Sequence, residues 1–90
     1  MDELTSKEKA VLRSAAQGLK PVLRIGKGGV TDQALAELER AFRKDELVKV
    51  AFNADRETIS RLSEELACAS SSICIGGVGK RRSYFRTRDN

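Results

Sequence analysis

Gly26-Lys27-Gly28-Gly29-Val30-Thr31 joins an apolar extended run, Val22-Leu23-Arg24-Ile25, to a helix that Thr31 would cap. Glycines let a backbone turn tightly and come close to a ligand, and a helix start presents unpaired N–H groups at the positive end of its dipole. Such a turn can cradle an anion, most commonly a phosphate, with Lys27 adding a point charge at the tip. A short glycine-rich strand-to-helix link is also often only a link, so the spacing has to be weighed with the rest of the chain.

The spacing does not fit the nucleotide-binding loops. A Walker loop places its lysine after the last glycine and follows it with a Mg²⁺-binding hydroxyl, whereas Lys27 precedes Gly28 and Gly29. A dinucleotide fingerprint needs a third glycine where this chain has Thr31. The four-residue Gly-x-x-Gly turn is closer to the loop with which KH-type domains clamp the backbone of single-stranded nucleic acid.

A second feature lies at the other end of the chain. Residues 80–88, Lys80-Arg81-Arg82-Ser83-Tyr84-Phe85-Arg86-Thr87-Arg88, hold five basic residues and two of the four aromatics. The plain reading is a charged edge strand kept soluble by its lysine and arginines. The functional reading is a basic strip with stacking rings that follows a phosphate backbone. Gly76-Gly77-Val78-Gly79 repeats the Gly-x-x-Gly spacing, but no helix start follows it, and it reads as a link between strands.

The chain has no histidine, so Ser-His and Cys-His pairs and the usual near-neutral base are absent, and no carboxylate or lysine stands in a catalytic spacing. Cys68 and Cys74 have no second pair with which to bind zinc or build a disulfide framework. They read as reduced, partly buried small hydrophobes. The expectation is a protein that is not an enzyme and uses neither metal nor cofactor. Net charge is +4 in 90 residues, and the positive charge gathers around the glycine turn and the C-terminal end while the central helices carry the acid. Ninety residues allow one domain, 1–90, with one modest core. No apolar run is long enough to span a bilayer, and Met1-Asp2-Glu3-Leu4-Thr5 lacks the form of a signal peptide, so a cytoplasmic protein without membrane contact is expected.

Elements follow from spacing. Thr5-Ser6-Lys7-Glu8 is a capping box opening a helix over 6–17, with Val11, Leu12, Ala15, Ala16 and Leu19 taken together as its apolar face. A strand over 22–25, a helix over 32–43, a strand over 47–52 alternating around Lys49, a helix over 56–69 behind Asp55, and strands over 73–75 and 83–86 complete the order. Strands separated by helices imply parallel crossovers, and the last two imply a hairpin. The fold class is α/β: a two-layer sandwich, an N-terminal helix followed by β-α-β-α-β-β, on a four-stranded mixed sheet.

With the first helix, Gly26-Lys27-Gly28-Gly29-Val30-Thr31, Asp45-Glu46-Leu47-Val48-Lys49-Val50, Asp55-Arg56-Glu57-Thr58 and the stretch from Val78-Gly79-Lys80 to Phe85-Arg86 in this order, the chain resembles the CRM (chloroplast RNA splicing and ribosome maturation) domain family, whose single-domain bacterial members are YhbY-like. The resemblance implies a fold similar to the C-terminal domain of translation initiation factor three. It also implies RNA binding through the loop Gly26, Lys27, Gly28 and Gly29, and association with precursor ribosomal RNA of the large subunit. Two departures stand out: Arg81, Arg82 and Ser83 where the family's last strand is usually apolar, and Phe85 where tyrosine is common.

Residues and resemblance together give an RNA-binding protein of ribosome assembly. Its contacts are expected from Lys20, Arg24, the loop with Thr31, and Lys80, Arg81, Arg82, Tyr84 and Arg86. No small-molecule substrate is implied. The alternative is a protein-interaction module on the ribosome or on an RNA enzyme, meeting an acidic partner with the basic strip.

Overall fold

Thr5 and Glu8 close their capping box: Thr5 Oγ1 accepts from the Glu8 N–H at 3.1 Å, and Glu8 Oε1 accepts from the Thr5 N–H at 2.8 Å. Behind it, helix α1 runs over Ser6–Ala16 in the computed structural model, which describes residues 4–87. The remaining elements are β1 (Pro21–Ile25), α2 (Asp32–Lys44), β2 (Leu47–Phe52), α3 (Arg56–Ser70), β3 (Ile73–Gly76) and β4 (Arg81–Phe85). Both later helices start on their expected caps, with Thr31 Oγ1 accepting from Ala34 N–H and Asp55 Oδ1 from Thr58 N–H.

The four strands lie in the order β1-β2-β4-β3; β1 and β2 are parallel, and β4 is antiparallel to both its neighbours. The last strand in sequence is therefore interior, and the edges are β1 and β3. This corrects the reading of the basic strip as an edge strand. β4 also starts two residues earlier than the run 83–86 predicts, because Arg81 already pairs with Ala51 and the Lys80 carbonyl accepts from Phe52 N–H. Gly77 is required in the β3–β4 link: a Cβ there would stand 2.0 Å from the Arg81 carbonyl oxygen.

Strand alternation sorts the side chains. Leu23 and Ile25, Val48, Val50 and Phe52, and Tyr84 face α2 and α3, where Leu38, Phe42, Ile59, Leu62 and Leu66 close the main core. The opposite parity, Arg24, Lys49, Ala51, Arg81, Ser83 and Phe85, faces the other side. Helix α1 packs there, against β2 and β3. The sheet and the α2–α3 pair make the two-layer body, and α1 partly covers the second face. Its buried Ala16, with Ala51 and Ile75, lies outside the main core.

One helix cannot bury all of α1's apolar residues. Val11 and Leu12 are about 100° apart around the axis, so when Leu12 and Ala16 turn to the sheet, Val11 and Ala15 turn outward. Val11 is 65% exposed. Cys74 packs against the core as expected, whereas Cys68 is exposed on α3; both are free thiols.

Candidate functional site

The glycine turn stands at the C-terminal end of β1. Gly29 N–H donates to the Gly26 carbonyl at 3.0 Å, closing a four-residue turn with Lys27 and Gly28 exposed at its tip. Gly29 takes the left-handed conformation, φ +79°, which strains any residue with a side chain, and a Cβ there would be in ordinary contact with Leu62 Cδ2 of α3 at 3.4 Å. Gly28 has ordinary φ and open space around it. The base of the turn is thus closed by a backbone hydrogen bond, with glycine in a conformation that side chains avoid, and its tip is exposed.

The start of α2 is a weaker anion site than its position suggests. Thr31 caps it, and Asp32 places a carboxylate in the first turn, where it offsets the dipole. What the turn offers an anion is therefore the Lys27 ammonium and the backbone at the tip. The start of α3 is closed in the same way: Asp55 accepts from Thr58. That hydrogen bonding, with the nearby positive charges of Arg61 and Lys80, holds the Asp55 carboxyl below its ordinary range.

Because β1 and β2 are parallel and β4 runs back between β2 and β3, three loops meet at one end of the sheet. Asn53 N–H donates to the Ile25 carbonyl and Phe52 N–H to the Lys80 carbonyl, each at 2.7 Å. Lys80 and Arg81, more than fifty residues from the glycine turn in sequence, therefore lie two strands away from it, about 10 Å. Arg24, Ala51 and Arg81 are direct cross-strand partners in one row, on the face away from α2 and α3. Arg24, Lys27 and Arg81 are exposed, and none of their side chains has a hydrogen bond or ion pair among the described residues.

Other predicted contacts are placed elsewhere. Arg82 is next to Arg81 on a strand, so it points to the opposite face, level with Val50. Its guanidinium braces the turn by donating to the Gly79 and Arg81 carbonyls, each at 2.8 Å. Tyr84, expected as a stacking ring, is fully buried. Its hydroxyl lies 2.8 Å from Ser63 Oγ, which in turn is 3.2 Å from Cys74 Sγ, and burial raises the phenol's pKa despite the Ser63 bond. With its ring closed in between the sheet and the helices, Tyr84 cannot meet a ligand.

Arg86 is at the far end of β4. It pairs with both carboxylate oxygens of Glu39, donates to the Ser70 carbonyl at 2.9 Å, and lies 4.6 Å above the Phe42 ring. The Arg86 hydrogen bond is the main cause of a lowered Glu39 pKa. Its cation is engaged in holding α2, α3 and β4 together. Lys20 lies at the N-terminal end of β1, about 20 Å along the strand from the turn. Arg88 falls outside the described residues. Lys49 was not among the expected contacts, yet it is half-exposed on the open face, paired in register with Ser83. The alternation of Val48, Lys49 and Val50 already carried that signal.

A model of the CRS1 / YhbY (CRM) domain matches residues 4–86, nearly the whole described chain. This chain belongs to the CRM domain family. It is 38% identical over 84 residues to the Pseudomonas aeruginosa protein named "Probable RNA-binding protein PA4753", covering 92% of this chain and 81% of that one. It is 44% identical over 80 residues to a Haemophilus influenzae protein named "RNA-binding protein", covering 88% and 81%. The solution structure of SAV1595 from Staphylococcus aureus superposes with a TM-score of 0.86 at 28% identity, covering 98% of this chain and 93% of that one. The CRM fold is thus seen here with the loop and the basic row on one end of its sheet. Among the described residues no group of three His, Cys, Asp or Glu side chains could hold a metal ion, and no helix is long and apolar enough to cross a membrane.

Proposed function

We infer that this chain is an RNA-binding protein whose contact surface is the loop end of the sheet, and that the RNA it meets in the cell is precursor ribosomal RNA of the large subunit during assembly. The observation that carries the RNA reading is the convergence of cations without a side-chain partner among the described residues: Lys27 on the turn tip, and Arg24 and Arg81, both exposed, across two strands on the face that α1 partly covers. Lys80 adds to them, partly offset by Asp55. Names given to relatives in Pseudomonas aeruginosa and Haemophilus influenzae support the same reading.

Phosphate contacts release counterions, so affinity for RNA falls with salt. With Arg24, Lys27, Lys80 and Arg81 each neutralising one phosphate, log affinity should fall against log salt with a slope of roughly −3 to −4. A flat response removes this surface from the mechanism. Crosslinking in cells followed by sequencing of the bound RNA tests the finer claim: enrichment of large-subunit precursor is expected, and RNA without that enrichment overturns it. Tight binding to an acidic protein with none to RNA would instead favour an interaction module.

A further inference from the structure

We propose that the RNA recognised by this surface is base-paired, gripped by its phosphates, and that single-stranded runs are poor ligands. This rests on the reading of the chain as an RNA-binding protein and adds the class of RNA.

Proteins that hold single strands gain much of their affinity by stacking bases on exposed rings, roughly 1–3 kcal/mol per base. This chain has four aromatic residues, and the loop end has none to offer. Phe42, Phe52 and Tyr84 are in the main core, at 1%, 3% and 0% exposure. Phe85, the fourth, is at the opposite end of β4, paired with Leu47 and Ile73, and lines a groove beside α1 with Leu4, Val11 and Leu12. It lies about 13 Å along the strand from Arg81. On β4 two guanidinium planes are engaged, Arg82 on the Gly79 and Arg81 carbonyls and Arg86 on Glu39 and Phe42, while those of Arg24 and Arg81 stay exposed as charges on the sheet.

What remains is charge at fixed spacing. Arg24 and Arg81 rise from one row of a hydrogen-bonded sheet, separated by Ala51, with Lys27 on a turn closed by the Gly29–Gly26 backbone hydrogen bond. A single strand must surrender its conformational freedom to match such an array, with no stacking to offset the loss. A base-paired helix already holds its phosphates in a regular, dense array, so little ordering is required when it binds. Cations anchored on a rigid sheet, without rings beside them, therefore favour the paired form.

The test uses the full chain and a fluorescently labelled RNA of about 16 nucleotides without self-pairing, alone and annealed to its complement. At one fixed salt concentration the duplex should bind at least about tenfold more tightly than the strand. The double substitution Arg24→Gln with Arg81→Gln should abolish most of that preference while the melt stays cooperative. Equal or tighter binding of the single strand by the wild-type chain overturns the proposal and leaves the RNA-binding reading intact. Binding to neither form overturns both. A preference unchanged in the double variant overturns the assignment to the Arg24–Arg81 row.

Discussion

Strand β4 has arginines at both ends, and they differ in everything except residue type. At the loop end Arg81 is exposed, and its side chain has no partner among the described residues. At the far end Arg86 meets a carboxylate, a carbonyl and a ring within one side chain's reach. The difference lies in what the neighbouring elements present. The loop end brings together turns and one capping aspartate, whereas the far end brings the last turns of α2 and α3, where Phe42, Glu39 and the Ser70 carbonyl converge. A basic residue on this strand is available for a ligand where no neighbouring carboxylate, carbonyl or ring has already engaged it.

The largest expected effect comes from inverting charge at the loop end. Lys27→Asp with Gly28→Asp places two carboxylates at the free tip, where neither steric clash nor positive φ opposes them. Affinity for duplex RNA should fall roughly 10- to 100-fold, with a cooperative melt within a few degrees of wild type. Undiminished binding would take the turn out of the interface.

Arg86→Ala tests the other side of the comparison. It should lower stability by about 1–2 kcal/mol, a value discounted because Glu39 is half-exposed, while leaving RNA affinity unchanged. Denaturant titration and RNA binding on the same preparation separate the outcomes; a loss of affinity without loss of stability would make Arg86 a contact after all.

Tyr84→Phe removes a hydroxyl from the buried Ser63–Tyr84 pair and should cost about 1 kcal/mol in a denaturant titration, again with RNA affinity unchanged.

These outcomes bear on how much was legible beforehand. Caps at Thr5, Thr31 and Asp55 and the strand over 47–52 are written in local spacing, and each appears where that spacing puts it. The glycine turn was legible for the same reason. The fate of the basic strip was not, because it depends on β4 inserting between β2 and β3, a pairing among residues up to about 38 positions apart that leaves no local mark. Once the strand is known to start at Arg81, alternation alone separates Arg81 from Arg82 and buries Tyr84. Arg86's partners come from α2 and α3, and no spacing in the sequence points to them.

The smallest effect concerns pH. Pairing with Arg86 lowers Glu39's pKa in the folded state, so the unfolded chain binds more protons in the acid range and stability rises with pH there. The pair's contribution should be complete above the ordinary carboxylate range and lost as pH falls through the lowered value. Glu39→Gln should flatten that part of the stability profile. An identical profile in the variant would assign the acid sensitivity to other groups, of which Asp55 is one, shifted in the same direction.

The interior position of β4 also sets an order of events in biosynthesis. The strand that fills the middle of the sheet is made last, after both strands it must join. Until residues 81–85 are free, β2 and β3 present unpaired backbone to each other's side of the gap, and the place of Tyr84 in the core is empty. The domain therefore closes as a late, cooperative step once residues 81–85 are available, rather than growing strand by strand. A chain cut after Lys80 keeps all three helices and three of four strands, yet it is left with two adhesive edges and should aggregate.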